Sequence, residues 1–516
     1  MKALLLTFSF FILTACANQK PNILFIFSDD HATQAISSYG SKLNETPNID
    51  RIANEGMRFD RCYVTNAICG PSRATILTGK YSHLNGFYKN DMNFDGSQPT
   101  FPKLLQQAGY ETAVIGKWHL HSTPTGFNHY DIITGYGGQG KYFYPVMNRN
   151  GKSRTHNGYT SDVITNKSLH WLKNERNEKK PFMLMVQHKA PHRSWQPAPY
   201  HLDKYTDQKF PEPANLHDEY KDKSSATKSQ DMMISKSMNR VDLKLVPPEY
   251  FKPEEMTSWH QAYDAENQAF TEAKLTGKAL TSWNYQRYIR EYLRCIISID
   301  DSIGQLLDHL KESGLDKNTI VIYSSDQGFF LGEHGFFDKR FMYEEALRAP
   351  LVIKWPGTIK PGSTNTDIVS NLDFAETFLD IAGIQVPSDM QGKSLLPLLK
   401  GESPTDWRQS FYYHYYGFPD WHLVQKHCGI TDQRYKLIHF YTTDEWELYD
   451  RQNDPQEMKN IAYDPEHAPL LEKMKKELTQ QQKNFHVPAD AIVDKNFKHL
   501  ELENSYLKWG QVEKEK

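Results

Sequence analysis

Disulfide scaffolds, charge of one sign, repeats and long membrane runs are all missing from this chain, and each absence removes a class of function. Five cysteines in 516 residues (Cys16, Cys62, Cys69, Cys295 and Cys428) stand at irregular spacing and make no disulfide framework. A formal net charge of −3 supplies no field that would gather nucleic acid or hold a polybasic patch on a membrane. No internal repeat and no low-complexity stretch interrupts the chain. What remains is an ordinary globular composition rich in Tyr, Phe and Trp. The chain is long enough for one large and one smaller domain.

The one notable apolar run is N-terminal. Lys2, then residues 3–13, then Thr14-Ala15-Cys16 read as a secretory signal, too short to span a bilayer as a stable helix. Ala15-Cys16-Ala17 fits plain cleavage, whereas Leu13-Thr14-Ala15-Cys16 resembles a bacterial lipobox. The lipobox is preferred because cysteine is rare elsewhere. The expectation is an exported lipoprotein lipidated on Cys16, periplasmic or anchored in the outer membrane and facing the cell surface, with no other membrane contact.

Several apolar runs of strand length end in polar residues. Residues 21–27 stop at Ser28-Asp29-Asp30-His31, and residues 110–115 at Gly116-Lys117-Trp118-His119. Residues 181–187 stop at His188-Lys189-Ala190-Pro191-His192-Arg193, and residues 319–323 at Ser324-Ser325-Asp326-Gln327-Gly328. Continuous apolar runs suit buried parallel strands, and open α/β sheets bind ligands at the C-terminal strand edge. Helical spacing covers 101–108, 157–173, 371–381 and 283–314, the last as one long helix or two. Residues 211–277 are hydrophilic and read as a surface insertion with some helix. From about Asp406 short aromatic strands appear, at 409–416, 428–431, 435–441 and 446–449, followed by a helix at 469–485. The expected domains are a signal at 1–16, an α/β domain at 21–405, an antiparallel-sheet subdomain with one helix at 406–485, and a charged tail at 486–516.

Cys69-Gly70-Pro71-Ser72-Arg73 places a small reactive side chain at a helix start. Pro71 suits a first turn, and the free N–H groups there favour an anion. Arg73 adds a planar guanidinium for an oxyanion. A lone buried Cys is ordinarily a small hydrophobe. Asp29, Asp30, Asp326 and the side-chain oxygen of Gln327 make an oxygen-only donor set for a hard divalent cation. An isolated Asp-Asp is more often a cap and a turn residue.

Cys-x-Pro-Ser-Arg followed by Ala74-Thr75-Ile76-Leu77-Thr78-Gly79 resembles the signature of the type I sulfatases. The resemblance runs on through Gly332-Glu333-His334-Gly335 and Trp446-Glu447-Leu448-Tyr449-Asp450, nearly the whole chain. It implies an alkaline-phosphatase/sulfatase-like mixed sheet sandwiched by helices, with a smaller C-terminal α+β subdomain. It implies that Cys69 is oxidised to formylglycine by a maturation enzyme, and that Asp29, Asp30, Asp326, Gln327 and residue 69 ligate one calcium ion. The family most often has Asn or His where this chain has Gln327. Arg73, Lys117 and Lys339 would hold the sulfate, His192 would protonate the leaving oxygen, and His119 would help release sulfate. Histidine suits both tasks because its pKa lies near neutrality.

The motif details look most like bacterial glycan sulfatases, including N-acetylglucosamine-6-sulfatases and enzymes of algal polysaccharides such as ulvan. The expected partner is therefore a sulfated oligo- or polysaccharide. His188, Arg193, Arg340, His414, His422 and His427 are candidate substrate contacts, each equally readable as an ordinary packed or surface residue. A phosphatase or phosphonate hydrolase on the same scaffold, and an inactive glycan-binding lipoprotein, are the competing readings.

Overall fold

The computed structural model describes residues 20–492, so the signal run, Cys16 and residues 493–516 of the tail lie outside the described residues. The four apolar runs are neighbouring parallel strands at the middle of a ten-stranded sheet. Thr319–Ser325, Asn22–Ser28, Phe182–Gln187 and Glu111–Lys117 lie side by side in that order. His129–Thr134 continues the parallel set, while Leu351–Lys354 joins antiparallel beyond 319–325, so the sheet is mixed.

Register decides where the site falls. Ser28 pairs with Ser325, and Gln187 pairs with both Phe27 and Gly116. The residues just past these pairs, Asp29, Asp326, His188 and Lys117, therefore emerge together at one edge. Gly116 allows this closeness: its φ is +114°, and a Cβ there would overlap the Gln187 carbonyl.

Both faces of the sheet are covered, which is why the strands read as unbroken apolar runs. Leu24 and Ile26 pack on the side of the long helix Gly277–Glu312, with Tyr288, Tyr292 and Ile296. Ile23, Phe25 and Phe27 point the other way, towards Phe374 and Phe378 of the helix Phe374–Ile381. Each such side chain contributes roughly 1.5–3 kcal/mol on burial. The 283–314 pattern proves to be a single helix, ended by Gly314 at φ +71°.

Phe411–Tyr415, His427–Thr431, Tyr435–Phe440 and Glu445–Asp450 form an antiparallel four-stranded sheet. One face packs Cys428, Ile430 and Leu437 against Met474 and Leu478 of the helix Ala468–Asn484. The other packs Tyr413, Tyr415 and Phe440 against the 330–347 segment of the large domain. The stretch 211–277, expected at the surface, is only partly so. Helix Pro253–Ala273 is largely exposed, but Met232, Ile234, Asp242 and Lys244 are buried, and the Met232 carbonyl accepts from Phe337 N at 3.0 Å. Among the described residues no helix is long and apolar enough to cross a membrane.

Candidate active site

Three carboxylates meet where the first strand and the 319–325 strand end. Asp29, Asp30 and Asp326 are fully buried, and one oxygen from each lies within 4.8 Å of the others. The Asp30 backbone takes φ +68° and donates its N–H to Asp326 Oδ1 at 3.0 Å. Like charges so close repel by about 4 kcal/mol per pair at 4 Å and an effective dielectric of 20.

Cations answer each acid. Lys117 pairs with Asp29, Lys339 with Asp30 at 2.8 Å, and Arg73 with Asp326 at 3.0 Å. Burial opposes ionisation of Asp29, but Lys117, His192 and Arg73 together outweigh it and hold that carboxyl well below its usual range. Burial pushes Asp326 well above the usual range, reinforced by the charge of Asp29 and only partly offset by Arg73. Asp29 Oδ1 and Gln327 Oε1 are buried with no hydrogen-bond partner, and the Gln327 amide lies against Asp30 Oδ1. An oxygen-rich group with two orphaned oxygens and unshared repulsion fits a hard divalent cation.

Cys69 opens the ten-residue helix Cys69–Thr78, preceded by Ile68 in extended geometry. Its sulfur, an Asp29 oxygen and a His192 nitrogen lie within 4.8 Å of one another. Two ties hold the helix start. Gly70 N donates to Asn90 Oδ1 at 2.9 Å, and a side chain at 70 would collide with Phe87. The Ser72 hydroxyl donates to the Asp326 carbonyl and accepts from Asn371 Nδ2 at 2.9 Å. Burial, then the negative charge of Asp29, pushes the Cys69 thiol up to about 12. As a thiol, residue 69 would be a poor nucleophile at neutral pH.

Arg73 is more occupied than its place in the motif suggests. Besides Asp326 it donates to the Lys117 carbonyl at 2.8 Å and to Gln187 Oε1 at 3.1 Å. It ties three strand tips together while balancing their acids.

Two histidines, His119 and His192, are tied into this group by short contacts. His192 donates from Nδ1 to the Arg193 carbonyl at 2.6 Å, leaving Nε2 3.9 Å from Asp30. Gln139 bridges the other pair: its Oε1 accepts from Lys117, and its Nε2 lies 3.1 Å from His119 Nε2. Lysine only donates, so the amide must face it with oxygen and face His119 with N–H. His119 therefore accepts at Nε2. Burial, then Lys117, holds both histidines well below their ordinary pKa. Gln139 has no marker in the sequence beyond its Gly-rich surroundings, and Lys189, buried beside these groups, sat unremarked between two histidines of its motif.

The remaining candidates divide. Arg193 is held by Asp242 at 2.6 Å, Arg340 by Asp338, and His422 Nε2 lies 3.4 Å from Asp338. Arg193 and His422 both lie on the Phe337 ring, two residues before Lys339. The structure does not bring His188, His414 or His427 to this group. His188 is fully buried and meets Ser302 of the long helix at 3.1 Å. His414 sits between the Tyr412 and Tyr441 hydroxyls at 2.8 and 3.1 Å, stacked on Tyr416. His427 lies among Phe341, Tyr413, Tyr415 and Phe440, bonded to the Gln425 carbonyl. Imidazole is half apolar, and these three are packed residues: His414 has a partner for each nitrogen, while His188 Nδ1 and His427 Nε2 are buried without one.

A buried acid cluster whose oxygens fit a divalent cation, with a helix-start residue and two histidines at the tips of a mixed sheet, suits a hydrolase for anionic esters. The sulfatase family description matches residues 21–384, and that of the N-sulphoglucosamine sulphohydrolase C-terminal region matches residues 332–484. The chain belongs to the sulfatase family and is a sulfuric ester hydrolase. It is 50% identical to the N-acetylglucosamine-6-O-sulfatase of Bacteroides thetaiotaomicron, over 93% of this chain and 91% of that protein. A solved structure described as bound to its substrate D-glucosamine-2-N,6-O-disulfate superposes with a TM-score of 0.90 at 50% identity, covering 92% of this chain and 99% of the other. The ulvan-active sulfatase of Formosa agariphila is 27% identical, over 90% of this chain and 80% of its own length.

Proposed function

We propose that this sulfatase removes the 6-sulfate of an N-substituted glucosamine in a sulfated glycan, using formylglycine at position 69 and one calcium ion. The juxtaposition of Cys69, Asp29 and His192 within 4.8 Å carries the reading of the mechanism. The 50% identity to a 6-O-sulfatase against 27% to an ulvan enzyme supports the substrate.

Asp29, Asp30, Asp326 and Gln327 would hold the cation, which when bound offsets their charge and polarises oxygens facing it. Hydrated formylglycine supplies two hydroxyls on one carbon, one to attack sulfur and one whose proton loss expels sulfate. The residues of the chain do the rest. Lys117 and Lys339, beside the acids and residue 69, would hold the ester's negative charge. His192 keeps its Nδ1 proton on the Arg193 carbonyl, so an acid role requires a second proton at Nε2. Burial, then Lys117, holds that proton off, and the charge of the ester would offset the part due to the lysines. His119 accepts at Nε2 and can take a proton once the Gln139 amide yields.

Intact-mass and peptide spectrometry of active protein tests the nucleophile: residue 69 should carry an aldehyde or its hydrate, and an unmodified thiol in fully active enzyme would sink the reading. A panel of glucosamine 6-sulfates, galactosamine 6-sulfates, ulvan fragments and an aryl phosphate tests the substrate. Turnover confined to the phosphate would move the enzyme to the phosphatase reading.

The export route belongs to the same proposal. A lipid on Cys16 would hold the enzyme at the outer membrane, where glycan enters. Loss of membrane association in Cys16→Ser, with secretion retained, is the expected result.

A further inference from the structure

Each of three cations at the strand tips already faces its own acid: Lys117 faces Asp29, Lys339 faces Asp30 and Arg73 faces Asp326. Lys189 does not. It is the second residue past the strand Phe182–Gln187 and is only 4% exposed. Among the described residues no carboxylate pairs with it. The contact made by its ammonium is to the Tyr142 ring, 5.0 Å from the centroid.

That ring and the backbone beside it belong to the active site. The Tyr142 hydroxyl donates to the His192 carbonyl at 2.5 Å, and the Ala190 carbonyl accepts from Asp29 N at 3.2 Å. Lys117, Asp29, Asp30, Cys69 and His192 are the charged and titratable groups around it. A buried ammonium beside a second lysine, held by a ring and with Asp29 and Asp30 beyond ion-pair distance, is an expensive arrangement for the free protein. A cation–π contact returns about 0.5–2 kcal/mol, too little to offset it. Burial, then the like charge of Lys117, lowers the ammonium to about 7. An arriving anion would remove the conflict.

We propose that Lys189 is a substrate contact of this sulfatase, its ammonium donating to an oxygen of the sulfate group. The inference rests on the cleft being the sulfate site. It adds a cation to the set that the motif resemblance supplied.

Calorimetric titration of inorganic sulfate into calcium-loaded enzyme at pH 8, in buffers of different ionisation enthalpy, tests it without turnover. The parent should bind sulfate with net proton uptake. Lys189→Met should bind at least tenfold more weakly and lose that uptake, and its kcat/KM on a glucosamine 6-sulfate should fall at least tenfold, mainly through KM. Lys189→Arg should recover most of the binding. Should the Met variant fail to fold, Lys189→Gln is expected to show the same loss. Sulfate affinity and proton uptake in either neutral variant within twofold of the parent would overturn the inference alone. A parent enzyme that binds no sulfate would take down the placement of the sulfate site and the inference with it.

Discussion

The strand-tip cluster and the Glu447 cluster of the small C-terminal sheet both bury charged and polar groups, and they differ in how completely those groups are matched. Glu447 of the small sheet is fully buried. It accepts from Ser224 N at 2.7 Å, Thr227 Oγ1 at 2.9 Å, and the Tyr343 and Tyr449 hydroxyls at 2.6 and 2.7 Å. Four donors saturate a carboxylate. At the strand tips, Asp29 and Gln327 each keep an oxygen without a partner, and Lys189 keeps an ammonium without an acid. A saturated polar cluster fastens two domains together. An unsaturated one is built for something that arrives later.

The sharpest way to break this comparison is at residue 69. Cys69→Ala removes the proposed nucleophile and should lower kcat by at least about 10⁴-fold, judged by the scale of nucleophile removal in other hydrolases. Its thermal midpoint should stay within a few degrees, and turnover within tenfold of the parent would refute the assignment. Next comes Asp326→Asn, expected to cost about 10²–10³-fold in rate and to abolish calcium retention measured by elemental analysis. Calcium withdrawal from the parent should lower its melting temperature, since a ligand at a hundred times its Kd adds about 2.7 kcal/mol. A chelator-insensitive midpoint would contradict a cation in that cluster.

The saturated region should answer in the opposite sense. Glu447→Gln turns one acceptor oxygen into a donor facing donors, and should cost about 1–3 kcal/mol of stability in denaturant titration. Its kcat/KM, measured well below the melting temperature, should be unchanged. The smallest effect is expected at His414→Phe. It keeps the stack on Tyr416 but leaves two tyrosine hydroxyls to find other partners, about 1 kcal/mol. Activity should stay within a factor of two, and a larger loss would return His414 to the substrate contacts.

Much of this was readable beforehand, and the pattern of misses is instructive. The central strands announced themselves because two covered faces demand unbroken apolar runs. The helix at Cys69 announced itself because Pro71 suits its first turn. The long helix was uncertain in number because periodicity alone cannot tell a continuous helix from two in line. The histidines were the weakest part. His119, His188 and His192 all follow the end of an apolar strand, yet only His192 lies beside the acids, with His119 joined to them through Gln139 and Lys117 and His188 turned away. A side chain's direction depends on what packs around it: Ser302 of the long helix claims His188, and an aromatic cage claims His427.

By itself the sequence determined the inventory: which strands are buried, which polar residues terminate them, and which residue heads a helix suited to an anion. These are local properties, set by apolar periodicity and by backbone rules that act over a few residues. The tertiary structure alone decided which termini become neighbours. Asp30 N meets an Asp326 oxygen across 296 positions of chain, because Ser28 and Ser325 happen to share a register. It also decided that Arg73 would be spent on acids, that Gln139 would join Lys117 to His119, and that Lys189 would be left unpaired. Pairing between distant strands depends on the packing of the whole sheet, and no short-range signal encodes it.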